Sequence, residues 1–233
     1  MADPNFEILF EDNHCLAAVK PAGIATTHFQ GKQATFDMLV KDYLKEKYAK
    51  PGNVFLGIVH RLDKPVSGVV LFARTSKAAA RLSEQFRKGS IEKTYWAMVE
   101  GQIDTAAGSL DDWLRKDEGA RRVEVVEAGQ PGAKQALLHF TCKAARDGLT
   151  WLELRPQTGR RHQLRAQLAH HGHPIFGDAK YGSVNLFGQA IGLHARALTF
   201  LHPIRYEPIT LTAEVPRPWR GKFAYLLNPP PGV

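Results

Sequence analysis

The chain alternates short apolar runs with polar turns, and most of the runs are about as long as a β-strand. Residues 6–10 and 16–19 are two such runs, and the polar residues between them predict a hairpin. Residues 69–73 are apolar without interruption, which is typical of a buried strand. Further strands are predicted at residues 94–100, 136–143, 150–155, 197–201 and 209–215.

Apolar residues follow helical spacing in other parts of the chain. Residues 36–48 predict one helix. Residues 76–87 predict a second, with Ser76 as its N-cap and Gly89 as its C-terminal stop. Residues 161–171 predict a third. Many strands interspersed with three helices predict an α+β fold, in which helices flank a mixed, mostly antiparallel central sheet.

In two stretches the apolar residues follow neither strand nor helix spacing. Residues 101–132 mix glycines with basic residues and predict short strands and a basic loop, whereas residues 176–192 predict a glycine-rich loop. Neither a repeat nor a linker divides the sequence. We therefore expect a single domain over residues 1–233, with a loose Pro-rich tail at 228–233.

Composition indicates the class of partner and the compartment. The net charge of +8 favours a polyanion, and nucleic acid is the first candidate. Cys15 and Cys142 lie in apolar segments without the spacing of a metal site, which predicts buried thiols in a reducing compartment. The N-terminus is acidic, unlike a signal peptide, and no apolar run reaches transmembrane length. These features predict a cytoplasmic protein that does not enter a membrane.

The segment from His60 to Arg74 is the strongest candidate for chemistry. His60, Arg61 and Asp63 stand just before the turn formers that lead into the apolar run at 69–73. A buried strand entered through a charged turn would hold Asp63 on a rigidly supported loop, where reactive groups are common. The alternative is an ordinary surface turn with solvated charges.

A second charged segment runs from Arg155 to Arg165. Here a strand ends, a Thr-Gly turn follows, and a helix begins that carries arginines and a histidine, an arrangement suited to binding phosphate. The alternative is a basic, solvated helix face. Arg165 lies beside the core-facing Leu164, and a partly buried arginine needs an anion. We predict that it pairs with Asp63, which needs a cation to stay ionised.

Tyr95 is the third candidate, on the alternating strand at 94–100. Its ring could be an ordinary core aromatic, or it could stack on an unstacked base. A metal site is the weakest hypothesis, because the candidate ligands do not have the spacing that places three on one face. Those candidates are His162, His170, His171, His173, His194 and Asp178.

Several motifs in the same order resemble those of the RluA-type RNA pseudouridine synthases, and together they cover most of the chain. The segment from His60 to Ala73 resembles the catalytic motif, and Lys93-Thr94-Tyr95 resembles the motif of the stacking tyrosine. The motifs that complete the match are Glu11-Asp12 with Lys20-Pro21-Ala22-Gly23, the arginine motif at 158–165, and the segment from Gly172 to Gly182.

The resemblance implies a pseudouridine synthase fold with a catalytic cleft, and the isomerisation of uridine to pseudouridine in ribosomal or transfer RNA. It implies that Asp63 is the catalytic aspartate, that Tyr95 stacks on the target uracil and that Arg165 pairs with Asp63. Arg61 resembles the residue that displaces or replaces the flipped nucleotide. The residues to which we assign substrate binding are His60, Arg61, Leu62, Arg160, His162 and Gln163.

The resemblance also implies a monomer that needs no metal, no organic cofactor and no obligate protein partner. Two departures from the family pattern are visible. Larger members carry an additional N-terminal RNA-binding module, and this chain is expected to consist of the catalytic domain alone. Arg161 replaces the small hydroxyl residue of many members, which we expect to affect RNA contacts rather than catalysis.

Two other functions remain open at this point. A base-excising hydrolase could also use an aspartate beside a stacking aromatic, but it would release free base. A non-catalytic RNA-binding domain would explain the charge, but it would leave Asp63 without a role in a cationic groove.

Overall fold

The computed structural model describes residues 5–27, 33–117, 119 and 122–227. The predicted tail at 228–233 lies outside these residues. The chain forms two compact units, one of Met1–Glu92 with Ala195–Glu214 and the other of Lys93–His194 with Val215–Val233. The elements in chain order are β1 (Ile8–Glu11), β2 (Cys15–Lys20), α1 (Phe36–Lys47), β3 (Gly57–Ile58), β4 (Ser67–Ala73), α2 (Ser76–Lys88), β5 (Glu92–Glu100), β6 (Ala107–Asp117), β7 (Arg122–Val126), β8 (Lys134–Arg146), β9 (Leu149–Pro156), α3 (Gln163–His170), a 3₁₀ turn (Ala179–Tyr181), β10 (Leu193–Leu201), β11 (Pro208–Thr212), α4 (Arg217–Lys222) and α5 (Ala224–Leu227).

The first unit has the strand order β1-β2-β4-β10-β11, with β3 paired to β4. All seven residues of β4 are buried. On one face Leu71 lies in a cluster with Leu82 of α2, and on the other face the Phe72 ring is 5.9 Å from that of Phe36 in α1. Because helices cover both faces, residues 69–73 of the strand are apolar without interruption, which confirms their interpretation as a buried strand.

The ends of α2 correct one prediction and confirm another. The N-cap is Thr75 rather than Ser76, since the Thr75 hydroxyl accepts a hydrogen bond from the Ala78 amide at 3.2 Å. Gly89 ends the helix in the left-handed conformation (φ 71°), as its position predicted.

The second unit has the antiparallel strand order β5-β9-β8-β6-β7. β8 and β9 form a hairpin that turns at Asp147 (φ 52°) and Gly148 (φ 73°), and they confirm the strands predicted at residues 136–143 and 150–155. Residues 101–132 were predicted to form short strands and a basic loop, and the structure has the short β7 there but also β6, which is eleven residues long. Polar side chains such as Asp111 and Arg115 alternate with inward ones such as Leu114, and this weakens the apolar signal.

Two further differences concern helices of the second unit. α3 begins at Gln163 and not at Arg161, because His162 has a left-handed backbone (φ 51°) that a helix cannot include. The short helices α4 and α5 were not predicted. They bury Trp219 and Phe223 against Trp151 of β9. No helix within the described ranges is long and apolar enough to span a membrane.

Candidate active site

Asp63 lies in the first unit, on the loop between β3 and β4. The loop turns tightly here, because the Val66 amide donates a hydrogen bond to the Asp63 carbonyl at 3.0 Å. Asp63 itself is half-buried, and Val66 is 2% exposed at the entry to the central strand. The predicted placement of the aspartate, on a turn anchored by a buried strand, is therefore confirmed.

The segment after β2 holds the Asp63 loop on both sides of the aspartate. Before it, the Leu62 amide donates to Thr26 Oγ1 at 3.0 Å, and that hydroxyl donates to the Leu62 carbonyl at 2.8 Å. After it, the Lys64 carbonyl accepts from the Gly23 amide at 2.8 Å and from Lys20 Nζ at 3.3 Å. The backbone around Asp63 is thus fixed by groups from a separate segment of the chain.

Lys20 is a lysine with no exposed surface. Its Nζ also donates to the carbonyls of Pro21 at 2.9 Å and Ile24 at 2.8 Å, so three acceptors match the three protons of an ammonium. Burial lowers the pKa of Lys20 to about 7, and the negative charge of Asp63 opposes that lowering. In the sequence this lysine stands out only as part of a motif. Its role in supporting the Asp63 loop depends on burial, which the motif does not show.

The three residues before Asp63 differ in exposure. His60 is partly buried, with its ring stacked on Phe86 at 4.6 Å and its Nε2 accepting from the Leu71 amide at 2.9 Å. Leu62 is 6% exposed, whereas Arg61 is exposed. All three were assigned to substrate binding, but only Arg61 among them has the surface to contact RNA directly, and the other two pack within the first unit.

Tyr95 and Lys93 lie in the second unit on β5. Tyr95 is half-buried and is the register partner of Leu154 on β9, which runs on into the turn before α3. Lys93 lies beside that turn, since a Cβ on Gly159 would be 4.0 Å from Lys93 Nζ. Burial lowers the pKa of Lys93. The second unit therefore brings the start of β5 next to the turn of the arginine motif.

Arg165 is held by a carboxylate of its own unit. Its Nε donates to Asp178 Oδ2 at 2.6 Å and its Nη2 donates to Asp178 Oδ1 at 2.8 Å, a bidentate geometry. The side chains are 7% and 1% exposed. The predicted pairing of Arg165 with Asp63 concerns residues of different units and stays a prediction.

Tyr181 contacts both Arg165 and the start of α3. The Arg165 guanidinium carbon is 5.0 Å from the centre of the Tyr181 ring, within cation–π range. The Tyr181 hydroxyl lies 2.8 Å from His162 Nδ1 and accepts from the Val123 amide at 3.0 Å. These contacts give His162, which was assigned to substrate binding, a structural role at the N-cap of α3.

Gln163, also assigned to substrate binding, is 4% exposed and organises the turn before α3. Its Oε1 accepts from Thr158 Oγ1 at 2.8 Å and from the Arg160 amide at 3.0 Å, and its Nε2 donates to the Leu137 carbonyl at 3.1 Å. Arg160 and Arg161 remain exposed on the surface of this turn. The two arginines, rather than Gln163, present cationic groups to a polyanion.

Within the described residues, one group of three side chains has the geometry of a metal site, and it contains none of the candidates considered above. It consists of Asp12, Cys15 and His202 in the first unit. His202 Nδ1 accepts from the Arg205 amide at 2.9 Å, so Nε2 carries the proton and donates to Asp12 Oδ2 at 2.8 Å. Arg205 Nη1 also donates to that oxygen at 3.0 Å. Hydrogen bonds therefore account for the cluster, and we assign it no metal.

Comparison with known proteins identifies the family. Residues 14–170 match the family model described as RNA pseudouridylate synthase. This range contains Asp63, Tyr95 and Arg165. The chain belongs to that family and is an RNA pseudouridine synthase.

The relatives place it among the RluA-type enzymes. It is 37% identical over 217 residues to a protein of Bacillus subtilis named uncharacterized RNA pseudouridine synthase YhcT, covering 90% of this chain and 68% of that one. It is 32% identical over 234 residues to tRNA pseudouridine synthase C of Vibrio cholerae, with 92% and 93% covered. It is also 33% identical to ribosomal large subunit pseudouridine synthase C of Buchnera aphidicola, with 90% and 67% covered.

Solved structures agree on the fold. Human RNA pseudouridylate synthase domain containing 4 superimposes with a TM-score of 0.78 at 24% identity, over 95% of this chain and 93% of the other. Human RNA pseudouridylate synthase domain containing 1 gives a TM-score of 0.72, over 91% and 84%. These matches confirm the predicted α+β pseudouridine synthase fold.

Proposed function

We propose that this enzyme converts a specific uridine of transfer or ribosomal RNA to pseudouridine, with Asp63 as the catalytic aspartate. The observation that carries the proposal is the support of Asp63: amide, hydroxyl and ammonium groups hold the backbone on both sides of it. The names of the relatives support the RNA class, since they specify transfer RNA in one case and the large ribosomal subunit in another.

The reaction breaks the bond between uracil N1 and the sugar C1′ and forms a bond between C5 and C1′. The C5 proton leaves to solvent and N1 gains a proton, so the atoms balance without an oxidant or a second substrate. Asp63 would act in its ionised form, whether it attacks the sugar, attacks the base or removes the C2′ proton. Arg165, paired with Asp63 in the reacting complex, would keep the carboxylate ionised.

Tyr95 and Arg61 would handle the target base. A stacked uridine hides its glycosidic carbon, so the nucleotide has to leave the helix before it can react. Arg61 is exposed beside Asp63 and would fill the space that the nucleotide vacates. Tyr95 would stack on the extruded uracil. Arg160 and Arg161 would bind phosphates nearby, because both are exposed cations at the start of α3.

The proposal includes a monomeric, cytoplasmic enzyme that uses no metal or organic cofactor. The chemistry supports the absence of a redox cofactor, since isomerisation needs no electron transfer. The competing base-excising hydrolase would cleave the same N1–C1′ bond, but it would release uracil instead of forming the C5–C1′ bond.

The test combines genetics with an isotope assay. Pseudouridines would be mapped by carbodiimide modification and primer extension in RNA from a strain that lacks the gene, before and after it is restored. RNA labelled as [5-³H]uridine would then be incubated with the purified protein. We expect one site to vanish and return, with tritium released to water and no free uracil.

Asp63→Asn is the critical variant, and Asp42→Asn is its matched control on the exposed surface of α1. We expect Asp63→Asn to bind RNA and modify nothing, whereas Asp42→Asn behaves as the wild type. Release of free uracil would identify a hydrolase. Normal modification by Asp63→Asn would refute the role of the aspartate.

A further inference from the structure

The Arg165 guanidinium already has a carboxylate partner in its own unit. Asp178 binds the edge formed by Nε and one side of Nη2. An arginine has five N–H groups, and the hydrogen bonds to Asp178 use two of them. A second carboxylate could therefore bind Arg165 without displacing Asp178.

The segment that carries Asp178 is fixed by its own contacts. The Asp178 amide donates to the Ile175 carbonyl at 2.9 Å, and the Asp178 carbonyl accepts from the Tyr181 amide at 2.9 Å. Ile175 is fully buried and bridges to Val99 of β5. The carboxylate therefore projects from a tight turn attached to the sheet, so it can set the position and plane of the guanidinium.

We propose that Asp178 is a positioning residue, which orients the Arg165 guanidinium and supplies it with a permanent counter-charge through the reaction. The inference rests on the proposed function, because it takes Arg165 as the partner of the catalytic aspartate.

The electrostatic reason lies in the burial of Arg165. A buried cation is costly unless an anion compensates it. If the catalytic carboxylate becomes protonated or forms an ester, it loses its charge, and an arginine paired with it alone would be left uncompensated. Asp178 takes no part in the bond changes, so its carboxylate holds the guanidinium in place while the charge of Asp63 changes. The Tyr181 ring, held by two hydrogen bonds at its hydroxyl, restrains the guanidinium from one face.

Asp178→Asn tests the proposal, because it keeps the size of the side chain and removes its charge. The assay is the single-turnover release of tritium from [5-³H]uridine-labelled total tRNA and rRNA of the deletion strain. At saturating RNA the rate per folded molecule should fall roughly 10- to 100-fold, as for a misplacement of about 1 Å. The RNA concentration that gives half the maximal rate should change less than about threefold, because Asp178 is buried and does not bind the substrate.

The matched control is Asp147→Asn, the same chemical change at a side chain that is 71% exposed in the β8–β9 turn. Asparagine tolerates the left-handed backbone there, so this variant should retain the wild-type rate. The proposal would be overturned if the rate of tritium release per folded molecule of Asp178→Asn fell by less than about tenfold.

A second measurement does not depend on the folding of Asp178→Asn. In Asp63→Asn, the Arg165 Nε–H resonance should keep its chemical shift and slow exchange, because Asp178 accepts that proton. A shift to the position of a solvated arginine would overturn the proposal. Failure of the proposed function would look different, since the wild-type protein itself would then release no tritium.

Discussion

At the scale of single residues, adjacent residues of one motif have different structural roles. His60, Arg61 and Leu62 were all assigned to substrate binding, yet His60 accepts from the buried Leu71 amide and Leu62 packs inside the unit. A motif identifies a set of residues but not the direction of each side chain. Direction follows from burial, and burial depends on segments far away in sequence.

This contrast gives a prediction for two adjacent alanine variants. His60→Ala should lower the free energy of unfolding by about 2–4 kcal/mol, because it leaves the Leu71 amide unpaired and removes the ring that stacks on Phe86. Arg61→Ala should change stability by less than about 0.5 kcal/mol, since the side chain is exposed. It should instead slow RNA modification. Urea unfolding measures the loss of stability, and single-turnover assays measure the loss of activity. Equal destabilisation by both variants would contradict the different roles of His60 and Arg61.

At the scale of elements, the sequence predicted the strands and helices better than the contacts between segments that are distant in sequence. The β1–β2, β8–β9 and β10–β11 hairpins and the core of α2 follow from periodicity and turn residues. Neither the hydrogen bonds that hold the Asp63 loop nor the Arg165–Asp178 pair could be predicted. Lys20 is 44 residues from the carbonyl it supports, and Asp178 is 13 residues from its arginine. Local patterns carry no information about such partners.

The turn that carries Asp178 depends on Gly177. This glycine has φ 84°, and a Cβ on it would lie 2.7 Å from the Phe187 Cβ. Gly182 has φ 92° with nothing within 4 Å of such a Cβ, so it is a matched control for backbone strain alone. Gly182→Ala should cost about 1 kcal/mol of stability, and Gly177→Ala at least about 2 kcal/mol more because of the steric clash.

Activity should separate these two glycine variants as well. Gly177→Ala should slow turnover per folded molecule, because displacing the turn displaces the carboxylate that holds Arg165. Gly182→Ala should not. Thermal melting with single-turnover kinetics would check both points, and identical kinetics in the two variants would argue against a role of the turn in placing Arg165.

The ionisation of Asp12 makes the stability of the β1–β2 turn depend on pH. Burial raises the pKa of Asp12, but hydrogen bonds from the amides of His14 and Cys15 and from His202 and Arg205 outweigh it, and the pKa falls to about 2. The value in an unfolded chain is about 3.9. A carboxyl whose pKa is lower in the folded state stabilises the protein above the unfolded value, and this contribution is lost as the pH falls towards 2.

The measurement is the stability difference between the wild type and Asp12→Asn as a function of pH. We expect a charge-dependent contribution of about 2 kcal/mol at pH 6, which disappears between about pH 4 and pH 2. Asparagine can still accept the two backbone hydrogen bonds, so the variant isolates the charge. A difference that stays constant over this range would show that the charge of Asp12 does not stabilise the turn.

At the scale of the whole molecule, the proposed residues come from both compact units. Asp63 belongs to the first, and Tyr95 and Arg165 belong to the second. The chain returns to the first unit at Ala195 and to the second at Val215, so neither unit is one continuous segment. No linker in the sequence marks these crossings, and the single domain expected over residues 1–233 stays a prediction. Cutting the chain between residues 92 and 93 would therefore divide the first unit, and point variants are the suitable probes.

The net charge of +8 leads to a prediction about RNA binding. Each phosphate that a protein neutralises releases counterions, so the logarithm of affinity falls linearly with the logarithm of salt concentration. Arg160→Gln and Arg161→Gln should each reduce that slope by about 0.7 to 1, because each removes one exposed cation from the start of α3. Lys77→Gln, which removes an exposed charge on α2, should leave the slope unchanged if the RNA contacts the arginines rather than the whole basic surface. An equal reduction by all three variants would mean that the +8 charge acts diffusely, and that the start of α3 is not a specific phosphate site.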